Sequence, residues 1–130
     1  MDFKIDTKEK FVVVTPQDAK ISDNMAVEFE QKLLSFIKSV PKNVIVNMCL
    51  VNEISTNIAS LLLKIQQTYT DNKASMVLCA VTSNVGSCFN TLGIAELINQ
   101  TPTESEAWDI VQMEEIEREL FDGEDMLFNE

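Results

Sequence analysis

Apolar positions follow two different patterns along this chain. Largely apolar runs at residues 11–14, 44–48 and 76–81 predict buried strands, and the first is a continuous run rich in β-branched side chains, which is typical of a strand covered on both faces. Between these runs, apolar residues recur at spacings of three and four, which predicts amphipathic helices. These helical positions are Met25, Phe29, Leu33, Phe36 and Ile37; Ile58, Leu61, Leu62, Ile65 and Tyr69; Val85, Cys88 and Phe89; and Ala107, Trp108 and Val111, with Ile116 and Leu120 as a further extension of the same apolar side. Weaker patterns predict short strands at residues 3–6 and 97–98.

Residues that favour helix ends stand at the limits of the helical patterns. Four groups of residues suited to N-cap positions each precede a helical pattern. These groups are Ser22 with Asp23, residues 55–57, residues 82–84 and Thr103. Pro41 ends the first helix, and Gly93 is placed to end the third. Strands and helices therefore alternate, which predicts an α/β domain with a mostly parallel central sheet.

Charge and residue usage narrow the possible functions. The chain has 10 Lys and Arg against 21 Asp and Glu, a formal net charge of -11, and no histidine. This charge repels nucleic-acid phosphates and anionic membrane surfaces. The lack of histidine removes the commonest general base and metal ligand, and three glycines build no glycine-rich phosphate loop. We therefore predict a non-enzymatic protein without a cofactor or metal.

Length and cysteine usage point to one globular domain in a reducing compartment. The 130 residues are enough for a single core without disulfides. Cys49, Cys79 and Cys88 lack CxxC spacing and lie in or beside apolar runs, so we expect buried free thiols. The chain shows neither a secretory leader pattern nor an apolar run near the ~20 residues that span a bilayer, which favours a cytoplasmic location.

Four stretches resemble the STAS domain of bacterial anti-sigma factor antagonists. Residues 11–14, followed by Ile21 and Ser22, fall where that family has its second strand and a Gly-Glu-Leu-Asp turn. Residues 46–54 resemble the strand that leads to the family's switch site, residues 55–62 the site itself, and residues 76–94 the later strand and helix. The resemblance covers residues 3–112. It implies a mixed, mostly parallel sheet of four or five strands, with about four helices packed mainly on one face.

The resemblance implies a regulatory site at the start of the second helix. Where this chain has residues 55–60, the family usually shows the motif Asp-Ser-Ser-Gly-Leu-Gly. In the family, the Ser or Thr after the motif Asp accepts phosphate from a histidine-kinase-like serine kinase. The matching residue is Thr56, and Ser55 is the second choice. The implied partner-binding surface consists of Ser22, Asp23, Ser55, Thr56, Asn57, Ile58 and Ser60. Taken as local structure alone, the residues at 55–57 are N-caps, so both interpretations stay open.

The chain departs from the family pattern at this site. Ser55 replaces the motif Asp, Ile58 and Ser60 replace motif glycines, and Ser22 replaces the Asp of the earlier turn. Ile58 adds bulk where the family leaves room for the kinase.

The resemblance implies a monomer or weak dimer that exchanges protein partners, namely a serine kinase or anti-sigma factor and a phosphatase. Two alternatives stay open: a scaffold subunit of a larger signalling assembly, and a domain that binds a nucleotide or lipid.

The C-terminal stretch has a different composition from the rest. We predict a STAS domain at residues 1–112 and an acidic helix end and tail at residues 113–130. Apolar residues interrupt the acidic ones at Phe121, Met126, Leu127 and Phe128. This pattern is compatible with a solvated helix end and also with a segment that docks on a partner or on the domain.

Overall fold

The computed structural model describes the backbone of residues 1–128 and the side chains of residues 1–120. Within residues 1–128, seven strands and four helices follow one another, with a 3-10 turn before the first helix. The elements are β1 (Phe3–Thr7), β2 (Val12–Pro16), β3 (Lys20–Ile21), the 3-10 turn (Asp23–Met25), α1 (Ala26–Leu34), β4 (Val44–Asn47), β5 (Glu53–Ile54), α2 (Thr56–Asp71), β6 (Met76–Cys79), α3 (Ser83–Thr91), β7 (Gln100–Thr101) and α4 (Glu104–Phe128).

Five of the strands form one mixed sheet in the order β1-β2-β4-β6-β7. β1 is antiparallel to β2, and every other neighbouring pair is parallel. In the centre of the sheet, Val13 pairs with Ile45, which pairs with Val77. The predicted mostly parallel α/β architecture is therefore confirmed.

Successive residues of a strand point to opposite faces of the sheet. In this domain, different helices cover the two faces. On the front face, Val14, Val46 and Leu78 pack in one core with residues of α1, α2 and α3. On the back face, Val13, Ile45 and Val77 pack against α4. Three of the four helices thus lie on one face, as the resemblance implied.

A second, very small sheet lies at the edge of the front core. In this sheet β3 and β5 pair in parallel, with Lys20 opposite Glu53 and Ile21 opposite Ile54. The two isoleucines are buried, and Lys20 forms a salt bridge with Glu53 at 3.1 Å. The sequence patterns missed both strands because two residues cannot show a periodicity.

Two predicted elements have different limits in the structure. α1 ends at Leu34, and Phe36 and Ile37 follow in turns, although both still pack against the front core. The last sheet strand is β7 and not residues 97–98, because Leu97 belongs to a turn and is exposed. The side chains of β7 are polar, so no apolar pattern marks it.

The cysteines do not share one environment. Cys79 is buried, as expected, but Cys88 is half-buried and Cys49 is exposed. Cys49 lies in the loop after β4, which turns outward at this point, and its N–H donates to the side-chain oxygen of Asn47 at 3.0 Å. The prediction that all three thiols are buried is therefore wrong for Cys49.

Helix α4 runs continuously across the predicted boundary between residues 112 and 113. Thr103 caps its start, since the Thr103 hydroxyl accepts from the N–H of Glu106 at 3.2 Å. A separate acidic tail from residue 113 stays a prediction, and side chains from Phe121 onward lie outside the described ones. None of the helices within residues 1–128 combines the length and the apolar character needed to cross a membrane.

The predicted apolar side of α4 is correct only for the first turns of the helix. Ala107 and Val111 are buried against the sheet. Ile116 and Leu120 are exposed, so their predicted place on the same side is wrong. Each follows a buried residue by about two and a half helical turns and therefore lies on the opposite side of α4.

Candidate functional site

The candidate site is the start of α2, where β5 leads into the helix. Ser55 is the N-cap residue, and its side-chain oxygen accepts from the N–H of Ile58 at 3.2 Å. Its carbonyl accepts from the N–H of Ala59 at 3.1 Å. The predicted capping role of Ser55 is confirmed, and the helix begins at Thr56.

Thr56 occupies the first position of α2. The residue is exposed, and its hydroxyl makes no hydrogen bond to any atom of residues 1–120. The first amides of a helix lack carbonyl partners and form the positive end of its dipole, so they accommodate an added anion. In contrast to Thr56, Ser55 is half-buried and its hydroxyl is already bonded on two sides.

The carboxylate of Asp23 lies against this helix start. One oxygen accepts a short hydrogen bond from the Ser55 hydroxyl, and the other accepts from the side-chain amide of Asn57 at 3.1 Å. Ser55 replaces the motif Asp of the family, but a carboxylate is still present beside Thr56, supplied by the 3-10 turn. Asp23 is one of the predicted surface residues, but its contact with Ser55 could not be predicted, because the two residues are 32 positions apart.

Backbone hydrogen bonds between the two short strands hold Asp23 and α2 together. The N–H of Ser55 donates to the carbonyl of Ile21 at 3.2 Å, and the N–H of Asn52 donates to the carbonyl of Ala19 at 2.7 Å. These bonds fix the loop that carries Asp23 against the loop that carries Ser55. The small sheet therefore determines the geometry of the site.

The start of α3 supports the same loop from the other side. Thr82 occupies the N-cap position of α3, as predicted, but its hydroxyl makes no cap hydrogen bond. It donates instead to the carbonyl of Val51 at 2.8 Å. Thr82 therefore acts as a tie between α3 and the segment that precedes the site.

The structure places six of the seven predicted surface residues at or near the protein surface. Asp23, Thr56, Asn57 and Ser60 are exposed, and Ser22 and Ser55 are half-buried. Ile58 is fully buried in the front core. Its placement on the surface is corrected, because position 58 shares the inward side of α2 with Leu62 and Ile65. Ile58 supports the surface from beneath.

A shallow open depression of about 460 Å³ lies beside the helix start. Its lining residues are Lys20, Ser22, Asp23, Asn24, Glu53, Ile54 and Ser55. Small-molecule sites are usually concave and enclose most of the ligand. The open shape is better suited to contact with the surface of another protein.

Comparison with known proteins identifies the family and the fold. The family model of the STAS domain matches residues 2–107. No curated protein matches the chain. Among solved structures, an anti-sigma-factor antagonist (STAS) domain protein from Planctomyces limnophilus is similar, with a TM-score of 0.73 and 15% identity over 86% of this chain and 99% of that chain.

Two further solved structures share the fold. The cell fate determinant SpoIIAA of Bacillus, in its phosphorylated form, has a TM-score of 0.60 and 17% identity over 85% of this chain and 99% of that chain. A chain of the stressosome, a signal integration and transduction hub, has a TM-score of 0.62 and 14% identity over 84% of this chain and 96% of that chain. At such identities the likeness concerns the fold alone.

Proposed function

This chain belongs to the STAS domain family, and on that premise we propose that it is an anti-sigma factor antagonist-like regulator whose choice of partner is controlled by phosphate on Thr56. The unphosphorylated chain binds a serine kinase or anti-sigma factor. Phosphorylation of Thr56 releases that partner, and a phosphatase restores the binding form. The chain itself is non-enzymatic and acts in the cytoplasm, where the kinase finds ATP.

The accessible hydroxyl of Thr56 carries this proposal. Thr56 stands at the first position of α2, exposed and without a hydrogen bond within residues 1–120, while the neighbouring Ser55 hydroxyl is engaged with Asp23 and Ile58. A kinase can therefore reach Thr56 without disturbing the cap of the helix. The SpoIIAA structure supports the same chemistry, since a protein of this fold exists in a phosphorylated form.

The charges around Thr56 explain how phosphate would release a partner. A phosphate adds about -1.5 to -2 charge at neutral pH, and the surface beside it already holds the exposed carboxylate of Asp23, whereas the charge of Glu53 is paired with Lys20. Burying this combination under a docked protein costs desolvation and repulsion. A loss of ~3 kcal/mol lowers affinity more than a hundredfold. The fold need not change, because the first-turn amides of α2 accommodate the anion.

Intact-mass analysis of the chain from its source cells tests the acceptor. We expect a species heavier by ~80 Da, the mass of one phosphate, which disappears after phosphatase treatment and in Thr56→Val. It persists in Ser55→Ala, which is the matched control because it removes the neighbouring hydroxyl. Loss of the heavier species in Ser55→Ala and its survival in Thr56→Val would assign the phosphate to Ser55 instead.

A second function, a scaffold subunit of a larger assembly, is favoured by two observations. Ser55 and Ile58 replace residues of the family's phosphorylation motif, and a stressosome chain shares the fold. Size-exclusion chromatography with light scattering separates the two functions. The partner-switching regulator elutes as a 14.6 kDa monomer or a weak dimer, whereas a scaffold subunit forms a discrete particle of many copies.

A further inference from the structure

The outer side of α4 carries an apolar stripe far from the candidate site. Met113, Ile116 and Leu120 expose 58%, 55% and 63% of their surface. Their spacings of three and four place them on one side of the helix. Ala107 and Val111, which are buried against the sheet, lie on the opposite side. We call Met113, Ile116 and Leu120 the outer stripe.

The packing of α4 on the sheet does not involve the outer stripe. Val111 is buried in the back core, and Trp108 stacks on Phe11 with ring centroids 4.6 Å apart. The side-chain amide of Asn43 donates to the carboxylate of Glu115 at 2.7 Å. These contacts fix the inner side of the helix, so the outer stripe is available for another molecule.

The charge around the outer stripe is strongly negative. Residues 104–120 include seven acidic residues (104, 106, 109, 114, 115, 117 and 119) and one basic residue, Arg118. Arg118 is turned inward, where its guanidinium donates to the hydroxyl of Ser75 at 3.1 Å. Glu117 and Glu119 are exposed and adjoin the stripe. The outer side of α4 therefore combines apolar contact area with an acidic rim.

We propose that the outer stripe docks a basic amphipathic helix of a partner protein. The apolar side of that helix covers Met113, Ile116 and Leu120, and Lys or Arg residues on its flanks meet the acidic rim. A second copy of this chain is a poor occupant, because it would bring two acidic rims together in a molecule with a net charge of -11.

Docking at the outer stripe does not depend on Thr56. α4 covers the back face of the sheet, whereas α2 packs on the front face. The two surfaces therefore belong to opposite sides of the domain, and one partner can stay bound at α4 while another is exchanged at α2.

The first test uses a labelled synthetic peptide of about 18 residues, long enough to form a helix when it docks. Leu residues at spacings of three and four form its apolar side, and Lys residues occupy the flanks. One control peptide has the same composition in scrambled order, and a second has Glu in place of Lys. By fluorescence anisotropy with the full chain, we expect the basic amphipathic peptide to bind at least about tenfold more tightly than either control. Equal binding of the scrambled peptide would overturn the proposal, since charge alone would then explain the affinity.

Substitutions in α4 locate the binding surface. The triple variant Met113→Gln, Ile116→Gln, Leu120→Gln should lower the affinity for the basic peptide by about tenfold or more, and Ile116→Gln alone by several-fold. Val27→Gln is the matched control, since it removes an apolar side chain that is 71% exposed on the front helix α1. Thermal melts confirm that each variant is folded. Unchanged affinity in both stripe variants would contradict the proposal, as would self-association of the wild-type chain that the triple variant abolishes.

Discussion

The two faces of the sheet carry hydrophobic cores of different size. Among the side chains of residues 1–120, the front core joins 21 buried residues from the sheet, the small second sheet, three helices and their connecting loops, whereas the back core joins seven under one helix. Each buried apolar side chain contributes of the order of 1.5–3 kcal/mol, so most of the packing energy lies on the front. The difference shows where the domain is rigid and where a helix is held by fewer contacts.

The candidate site is anchored on the face with the larger core. Ile58, directly beneath the exposed Thr56, is fully buried in the front core. Hydrogen bonds from Ser55 to Ile21 in β3, and from Asn52 to Ala19 in the loop after β2, fix the helix start further. A hydroxyl that a kinase and a docking partner both recognise is thereby held in one position.

The largest expected effect is on the free energy of unfolding, which should fall by different amounts when the two cores are truncated. Val14→Ala removes two methyl groups from a fully buried position in the front core, and we expect a loss of about 2–4 kcal/mol in the free energy of unfolding, because the surrounding side chains leave a cavity. Val111→Ala removes the same groups from a fully buried position in the back core, where fewer side chains surround them, and should cost about 1–2 kcal/mol. Urea unfolding monitored by fluorescence of Trp108 measures both. An equal or larger loss for Val111→Ala would contradict the uneven distribution of packing energy.

Alkaline pH should weaken both faces, beginning with the back. Burial, with a smaller effect from the nearby charge of Glu104, raises the pKa of Cys79 from 9.0 to about 11, and burial also raises the pKa of Tyr69 on the front face above its ordinary 10.0. In the unfolded chain both groups ionise at their ordinary pKa values, so folding loses stability as pH rises above about 9 for Cys79 and above about 10 for Tyr69.

Urea unfolding as a function of pH checks this order. Cys79→Val should delay the decline of stability until about pH 10, where Tyr69 begins to ionise in the unfolded chain. Tyr69→Phe should leave the decline that begins near pH 9 in place. It also removes the buried hydrogen bond from the Tyr69 hydroxyl to the carbonyl of Leu33, so its stability should be lower at neutral pH. A Cys79→Val profile identical to wild type would show that the thiol is not responsible.

The smallest expected effect concerns the polar link at the start of α2. Asp23→Asn keeps the shape of the side chain but weakens its hydrogen bonds from Ser55 and Asn57, and we expect a loss of about 0.5–1.5 kcal/mol. Asp109→Asn is the matched control, because it removes the same charge from an exposed position on α4. Thermal unfolding compares the two. Equal melting temperatures would mean that Asp23 does not stabilise the helix start.

Much of the fold was predictable because its core obeys simple periodicities. The short apolar runs predicted β2, β4 and β6, and the start of α2 followed from the capping residues at 55–57. Gly93 has a φ of 70° after α3, which is the conformation expected of a glycine beyond a helix end. Local sequence sufficed here because each feature depends on neighbours a few residues away.

The site was less predictable because its contacts join distant segments. Asp23 reaches Ser55 only because β3 pairs with β5, and two strands of two residues leave no pattern in the sequence. Ile58 was predicted to lie on the surface because it occupies a position of the family's phosphorylation motif. Its helical spacing with Leu62 and Ile65 already indicated burial, and that spacing is the correct guide.

The central claim is that charge on Thr56 controls partner binding, and affinity capture from the source cells tests it most directly. Wild-type chain, Thr56→Glu and Thr70→Glu serve as baits, and Thr70→Glu is the matched control because it adds the same charge to an exposed hydroxyl position at the far end of α2. We expect wild type and Thr70→Glu to retain a common kinase or anti-sigma-like protein that Thr56→Glu retains at least about tenfold less. Equal retention by all three baits would contradict the claim.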